Sequence, residues 1–149
     1  MKLQELSQQY AKQPQVAALA GALKNVRGKS IFLEGLSGSS APMLFSALTF
    51  AKCQSTILFI LQDAEEAGYF YHDLTQLMGE QQVLFFPSSY RRSVKYAQRD
   101  PASEILRTEV LSQLGVQQAL YIVSYPEAVA EMVVTKKQLD SRTLSLTTG

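Results

Sequence analysis

The residues whose types and spacing suggest chemistry form one glycine- and serine-rich run, Gly35-Leu36-Ser37-Gly38-Ser39-Ser40-Ala41-Pro42. Before it, Ser30-Ile31-Phe32-Leu33-Glu34 reads as a short buried strand. After it, a helix is expected over residues 41–52. Strand, glycine loop and helix in that order are the setting of a phosphate-binding loop. In such a loop glycines let backbone N–H groups curl around phosphate, a lysine reaches the outer phosphates, and a Ser or Thr hydroxyl holds magnesium. Laid on Gly-x-x-x-x-Gly-Lys-Ser/Thr, Gly35 matches the first glycine. Ser40 falls at the second glycine, Ala41 replaces the lysine, and Pro42 replaces the hydroxyl residue. Losing the lysine removes a full charge from the phosphates, and Pro42 deletes a donor N–H from the helix start. The run is a degenerate phosphate loop or a plain Gly/Ser turn. Neither supports magnesium-dependent ATP hydrolysis, so no residue here is assigned a catalytic role. One capacity is still expected: the N–H groups around Gly38, Ser39 and Ser40 can hold a sulfate or phosphate, because a helix N-terminus favours anions without a lysine.

A second cluster lies in the polar loop expected over residues 88–100. Tyr90, Arg91, Arg92, Lys95, Tyr96 and Arg99 place four cations and two aromatics within ten residues. Such a loop can touch a phosphate backbone and stack on a base. Its arginines can equally pair with Asp100, Glu104 or a neighbouring subdomain. No metal site is expected. His72 is the single histidine and reads as a surface residue, and Asp63, Glu65 and Glu66 have the spacing of a helix N-terminus. The lone cysteine, Cys53, reads as a small core residue and allows no internal disulfide.

The elements that must position these residues alternate. Helical spacing covers residues 3–24, split by Pro14, and a polar turn follows over 25–29. Thr56-Ile57-Leu58-Phe59-Ile60-Leu61 is a continuous apolar strand of the kind covered on both faces. A helix runs from about Asp63 to Met78 and stops at Gly79. Val83-Leu84-Phe85-Phe86 is the third strand, ended by Pro87. Pro101 opens a helix to Leu114, Ala119-Leu120-Tyr121-Ile122-Val123 is the fourth strand, and Pro126 opens a short helix to about Val133. The tail from Arg142 to Thr147 alternates like an edge strand, and Lys136, Lys137 and Arg142 read as an exposed link. Strand and helix in alternation predict an α/β fold, a mostly parallel sheet with helices on both faces. The 149 residues suit one domain, 46% hydrophobic and 18% charged, with a net charge of +1 that gives no broad basic face. No apolar run reaches the roughly eighteen residues of a membrane span, and the polar start lacks a signal peptide's apolar stretch, so a cytoplasmic location is expected.

Several segments together resemble a known family. Gln13-Pro14-Gln15-Val16-Ala17-Ala18-Leu19, followed by the segment from Ile31 to Ser40, is similar to the start of the excision-repair protein UvrB. More specifically, Asp63-Ala64-Glu65-Glu66-Ala67, Tyr71-His72-Asp73-Leu74 and Val83-Leu84-Phe85-Phe86-Pro87 resemble the transcription-repair coupling factors (Mfd). Asp100-Pro101-Ala102-Ser103-Glu104-Ile105 with Arg107, and Ile122-Val123-Ser124-Tyr125-Pro126-Glu127-Ala128-Val129, continue the match. The resemblance implies a RecA/helicase-like core whose phosphate loop has decayed, forming the first subdomain of a UvrB-like module. It implies a next subdomain starting near residues 141–149, associated with UvrA binding. It also implies a longer protein that displaces stalled RNA polymerase from DNA, using ATP and magnesium in a distant C-terminal motor. The long aromatic hairpin of UvrB has only residues 88–100 in its place. On this view the chain is a non-catalytic structural and interaction domain. The alternatives are a P-loop ATPase and a stand-alone nucleic-acid-binding module using residues 90–99.

Overall fold

The computed structural model of the chain describes residues 3–24, 30–51, 55–90, 99–114, 116 and 119–142. Two helices lead, α1 (Leu3–Tyr10) and α2 (Pro14–Leu23), with Pro14 in the first turn, where a missing N–H is harmless. Then come α3 (Ser40–Phe50), β1 (Ile57–Ile60), α4 (Ala64–Met78), β2 (Val83–Phe85), α5 (Pro101–Gln113), β3 (Tyr121–Ser124), α6 (Pro126–Ala130) and α7 (Lys136–Arg142). None of the described helices is long and apolar enough to cross a membrane.

The three strands are parallel, in the order β1-β3-β2, with Ile57 beside Tyr121 and Tyr121 beside Val83. Side chains alternate across the sheet, so Ile57, Phe59, Tyr121, Val123, Val83 and Phe85 share one face. That face packs on α3 and α4. Phe59 meets Phe45 of α3 edge-on at 4.8 Å and Phe70 of α4 at 4.9 Å, and the Tyr121 hydroxyl donates to the Phe45 carbonyl at 2.9 Å. The opposite face carries Leu84, Phe86 and Ile122 against Val110 of α5. The chain is therefore α/β, with helices on both faces of a parallel sheet. A second cluster, Val16, Leu19, Leu44, Ala47 and Leu48, joins α2 to α3. The acidic run opening α4 acts as a cap: an Asp63 carboxylate oxygen accepts from the Glu65 and Glu66 N–H groups at 2.9 Å each. Such a cap stabilises by about 1 kcal/mol. Gly79, with φ 86°, ends the helix.

Four expectations are corrected. Residues 30–34 form no strand: they have no regular structure and are exposed, Phe32 at 87%, and no described strand pairs with them. The described sheet thus has three strands where four were expected. The apolar run of β1 is not covered on both faces, since Leu58 and Ile60 are 49% and 55% exposed. α5 reaches only the β2–β3 part of its face, leaving a cleft of about 300 Å³ beside Leu58. Arg142 ends a helix instead of opening an edge strand, and residues 143–149 lie outside the described residues. The helix after Pro126 stops at Ala130, and residues 131–135 continue without regular structure.

Candidate functional site

The serine and glycine loop stands at the carboxyl end of β1, where parallel sheets place ligands. Gly35 and Gly38 have φ of 81° and 54°, left-handed values that favour glycine, so both are used to turn the chain. α3 begins at Ser40, with Pro42 buried in its first turn. The loop consumes its own polar groups. The Ser40 hydroxyl accepts from the Ser37 N–H at 2.7 Å, and the Ser40 N–H donates to the Ser37 carbonyl at 3.1 Å. The Ser39 hydroxyl donates to the Asp73 carboxylate at 2.7 Å.

A cleft of about 540 Å³ opens beside the loop, and Ala41, Pro42, Leu61 and Phe70 line it together with two carboxylates, Glu66 and Asp73. No lysine or arginine is among its described lining residues. An anion held at Gly38, Ser39 and Ser40 would meet the like charge of Glu66 and Asp73 as well as the pull of the helix N-terminus.

Of the basic cluster, Tyr90 and Arg99 are described, and Arg91, Arg92, Lys95 and Tyr96 lie outside the described residues. Tyr90 and Arg99 pair as an isolated antiparallel bridge, and the Asp100 N–H donates to the Ser89 carbonyl at 2.8 Å. Arg99 turns to Glu104 of α5 at 3.1 Å. That pair is well exposed, so its contribution is about 0–1 kcal/mol. His72 is exposed on α4, as are Lys136 and Lys137 on α7, and Cys53 lies outside the described residues. Among the described residues no group of acids, histidines or cysteines could hold a metal.

The densest polar arrangement is one that sequence reasoning missed, at the carboxyl ends of β2 and β3. Glu131, just past α6, accepts from the Ser88 hydroxyl, from the Ser89 N–H at 3.0 Å and from the Ser89 hydroxyl at 2.6 Å. Arg107 of α5 lies 3.5 Å from the same carboxylate. Its guanidinium donates to the Pro87 and Ala128 carbonyls at 2.7 and 3.0 Å and rests 4.1 Å over the Phe86 ring. The Tyr125 hydroxyl accepts from the Ser88 N–H at 2.8 Å. Burial alone would raise the Glu131 pKa, but the Ser88 and Ser89 hydrogen bonds and the Arg107 charge outweigh it and hold the carboxyl below its ordinary value. The members are up to 43 positions apart, so no motif spacing announces them. One signal was available: Arg107 stands three and four residues before Val110 and Leu111, an arginine within the apolar stripe of α5. Compared with protein-family models, with curated proteins and with solved structures, the chain finds no match.

Proposed function

We propose that the chain is a non-catalytic platform: the helicase-like first subdomain of the UvrB-like module in a transcription-repair coupling factor, Mfd. In this reading the α/β core is RecA-like and its phosphate loop has decayed. The whole protein would be an ATP-driven DNA translocase acting on stalled RNA polymerase. This part would seat the adjoining subdomain that recruits UvrA.

The observation that carries the reading is an apolar surface without a cover among the described residues. Ile31, Phe32 and Leu33 lie on a segment without regular structure, and Leu58 and Ile60 lie on β1, which among the described strands pairs with β3 alone. Ile57 and Leu36 both pack on the α2–α3 cluster, so segment and strand rest on one helical layer. Exposed apolar side chains in such number suit a covering polypeptide better than water. An unpaired strand edge also offers a row of N–H and C=O groups for a neighbour to join. The ATPase alternative needs a cation beside Ala41, and Glu66 and Asp73 supply the opposite charge.

Titration of UvrA against residues 1–149, and against a chain extended through the next subdomain, tests the platform role. The longer chain is expected to bind and the shorter one to bind far more weakly. Equal affinity would place the recruiting surface in this chain and end the platform reading.

A further inference from the structure

The Glu131 carboxylate sits in a site crowded with donors. Its two oxygens accept from the Ser88 hydroxyl, the Ser89 N–H and the Ser89 hydroxyl, and Oε2 lies 3.5 Å from the Arg107 guanidinium. One guanidinium nitrogen, Arg107 Nη2, is nevertheless buried with no hydrogen-bond partner among the described residues. The Arg107 side chain is only 8% exposed. A buried donor left unmade costs about 1–3 kcal/mol, and a charged one is held in place only by its surroundings. Two serine hydroxyls, a backbone N–H and a planar fork of donors match phosphoryl oxygens, which are tetrahedral and offer a third acceptor.

We propose that Ser88, Ser89 and Arg107 form a phosphoryl-binding site in which Glu131 is the built-in ligand. Glu131 comes from residues 131–135, a stretch without regular structure in which Met132 is 98% and Val134 44% exposed. Swinging that stretch outward uncovers the donors and leaves the three strands paired, because the sheet registers involve none of these residues. An incoming phosphoryl group takes over the Ser88 and Ser89 bonds and supplies an oxygen to Arg107 Nη2. The site lies at the carboxyl ends of parallel strands, the usual ligand end of such a sheet. It also lies at the foot of the basic loop, beside the Tyr90 and Arg99 bridge. The phosphoryl group can belong to free phosphate, to the end of a nucleic-acid strand or to its backbone. The inference does not rest on the platform reading.

The test measures the melting temperature of wild type and Glu131→Ala during titration with inorganic phosphate, with chloride replaced at constant ionic strength. Glu131→Ala is expected to gain stability saturably, at an affinity at least roughly tenfold tighter than wild type, whose open form is a minor state. Adding Ser89→Ala to that variant is expected to abolish the gain. Glu131→Asp, with its carboxylate withdrawn by one methylene, should show the same response at smaller size. Oligonucleotides with and without a 5′-phosphate then separate strand ends from backbone: preference for the phosphorylated form assigns the end, and equal binding assigns the backbone. A folded Glu131→Ala without a saturable phosphate response overturns the proposal, as does a response that survives Ser89→Ala. Failure of both Glu131 variants to fold even in phosphate also overturns it, since phosphate would then be unable to replace the carboxylate.

Discussion

Two loops stand at the ligand end of this sheet, and they have gone opposite ways. The loop over residues 35–42 turns on two glycines with positive φ, its serines are bonded to one another and to Asp73, and Glu66 and Asp73 stand among the lining of the adjoining cleft. The Ser88 and Ser89 turn has no recognisable motif, yet it gathers two hydroxyls, a backbone N–H and a buried guanidinium around one carboxylate. Outline and chemistry have separated. The first loop has a glycine-turned backbone with no described cation beside it, and the second has a buried cation and several donors without a glycine turn.

The largest way to break that contrast is to remove the guanidinium. Arg107→Met leaves the Pro87 and Ala128 carbonyls without their donor and Glu131 without its countercharge. Loss of one member of a buried pair costs on the order of 3–5 kcal/mol. Urea unfolding should read that drop, and a loss below about 1 kcal/mol would mean that the network is not a structural centre.

Glu131→Gln is next. It keeps an acceptor and loses the charge, for an expected loss of about 1.5–3 kcal/mol, the range of hydrogen bonds to charged groups. The pH dependence follows from the depressed pKa. The Glu131 contribution is complete above its ordinary value of 4.5 and is lost as pH falls through its lower folded value. Wild type should therefore lose stability more steeply than Glu131→Gln in that acid window. Parallel curves would contradict the network as the source.

Ser39→Ala marks the small end. It removes one exposed hydrogen bond to Asp73, so chemical denaturation should shift by about 0.5 kcal/mol or less. A loss as large as that of Glu131→Gln would show the first loop to be as tightly built as the second.

Helices and strand order differ in how far they can be read from the chain. Pro14, Asp63, Gly79 and Pro101 mark helix ends by local chemistry, so α1, α2, α4 and α5 are legible almost residue by residue. The strands β1 and β2 also sit inside their apolar runs, and β3 overlaps its run and continues one residue past it to Ser124. Residues 30–34 have the composition of a buried strand but no partner among the described strands, and pairing is a property of neighbours that composition does not encode. The glycine loop is legible as shape, through Gly35 and Gly38. The carboxylates beside it come from α4, one of them 34 positions after Ser39, so their effect on charge is invisible to spacing. The Glu131 network is hidden for the same reason, being assembled from α5, the end of β2 and the stretch after α6.

Isothermal titration with magnesium-ATP tests most directly whether the glycine loop has lost its nucleotide chemistry. No saturable heat is predicted from this loop, because Ala41 and Pro42 replace its charge and hydroxyl and Glu66 and Asp73 oppose phosphate. Stoichiometric binding that Gly38→Val abolishes, and that Ser89→Ala leaves intact, would contradict it.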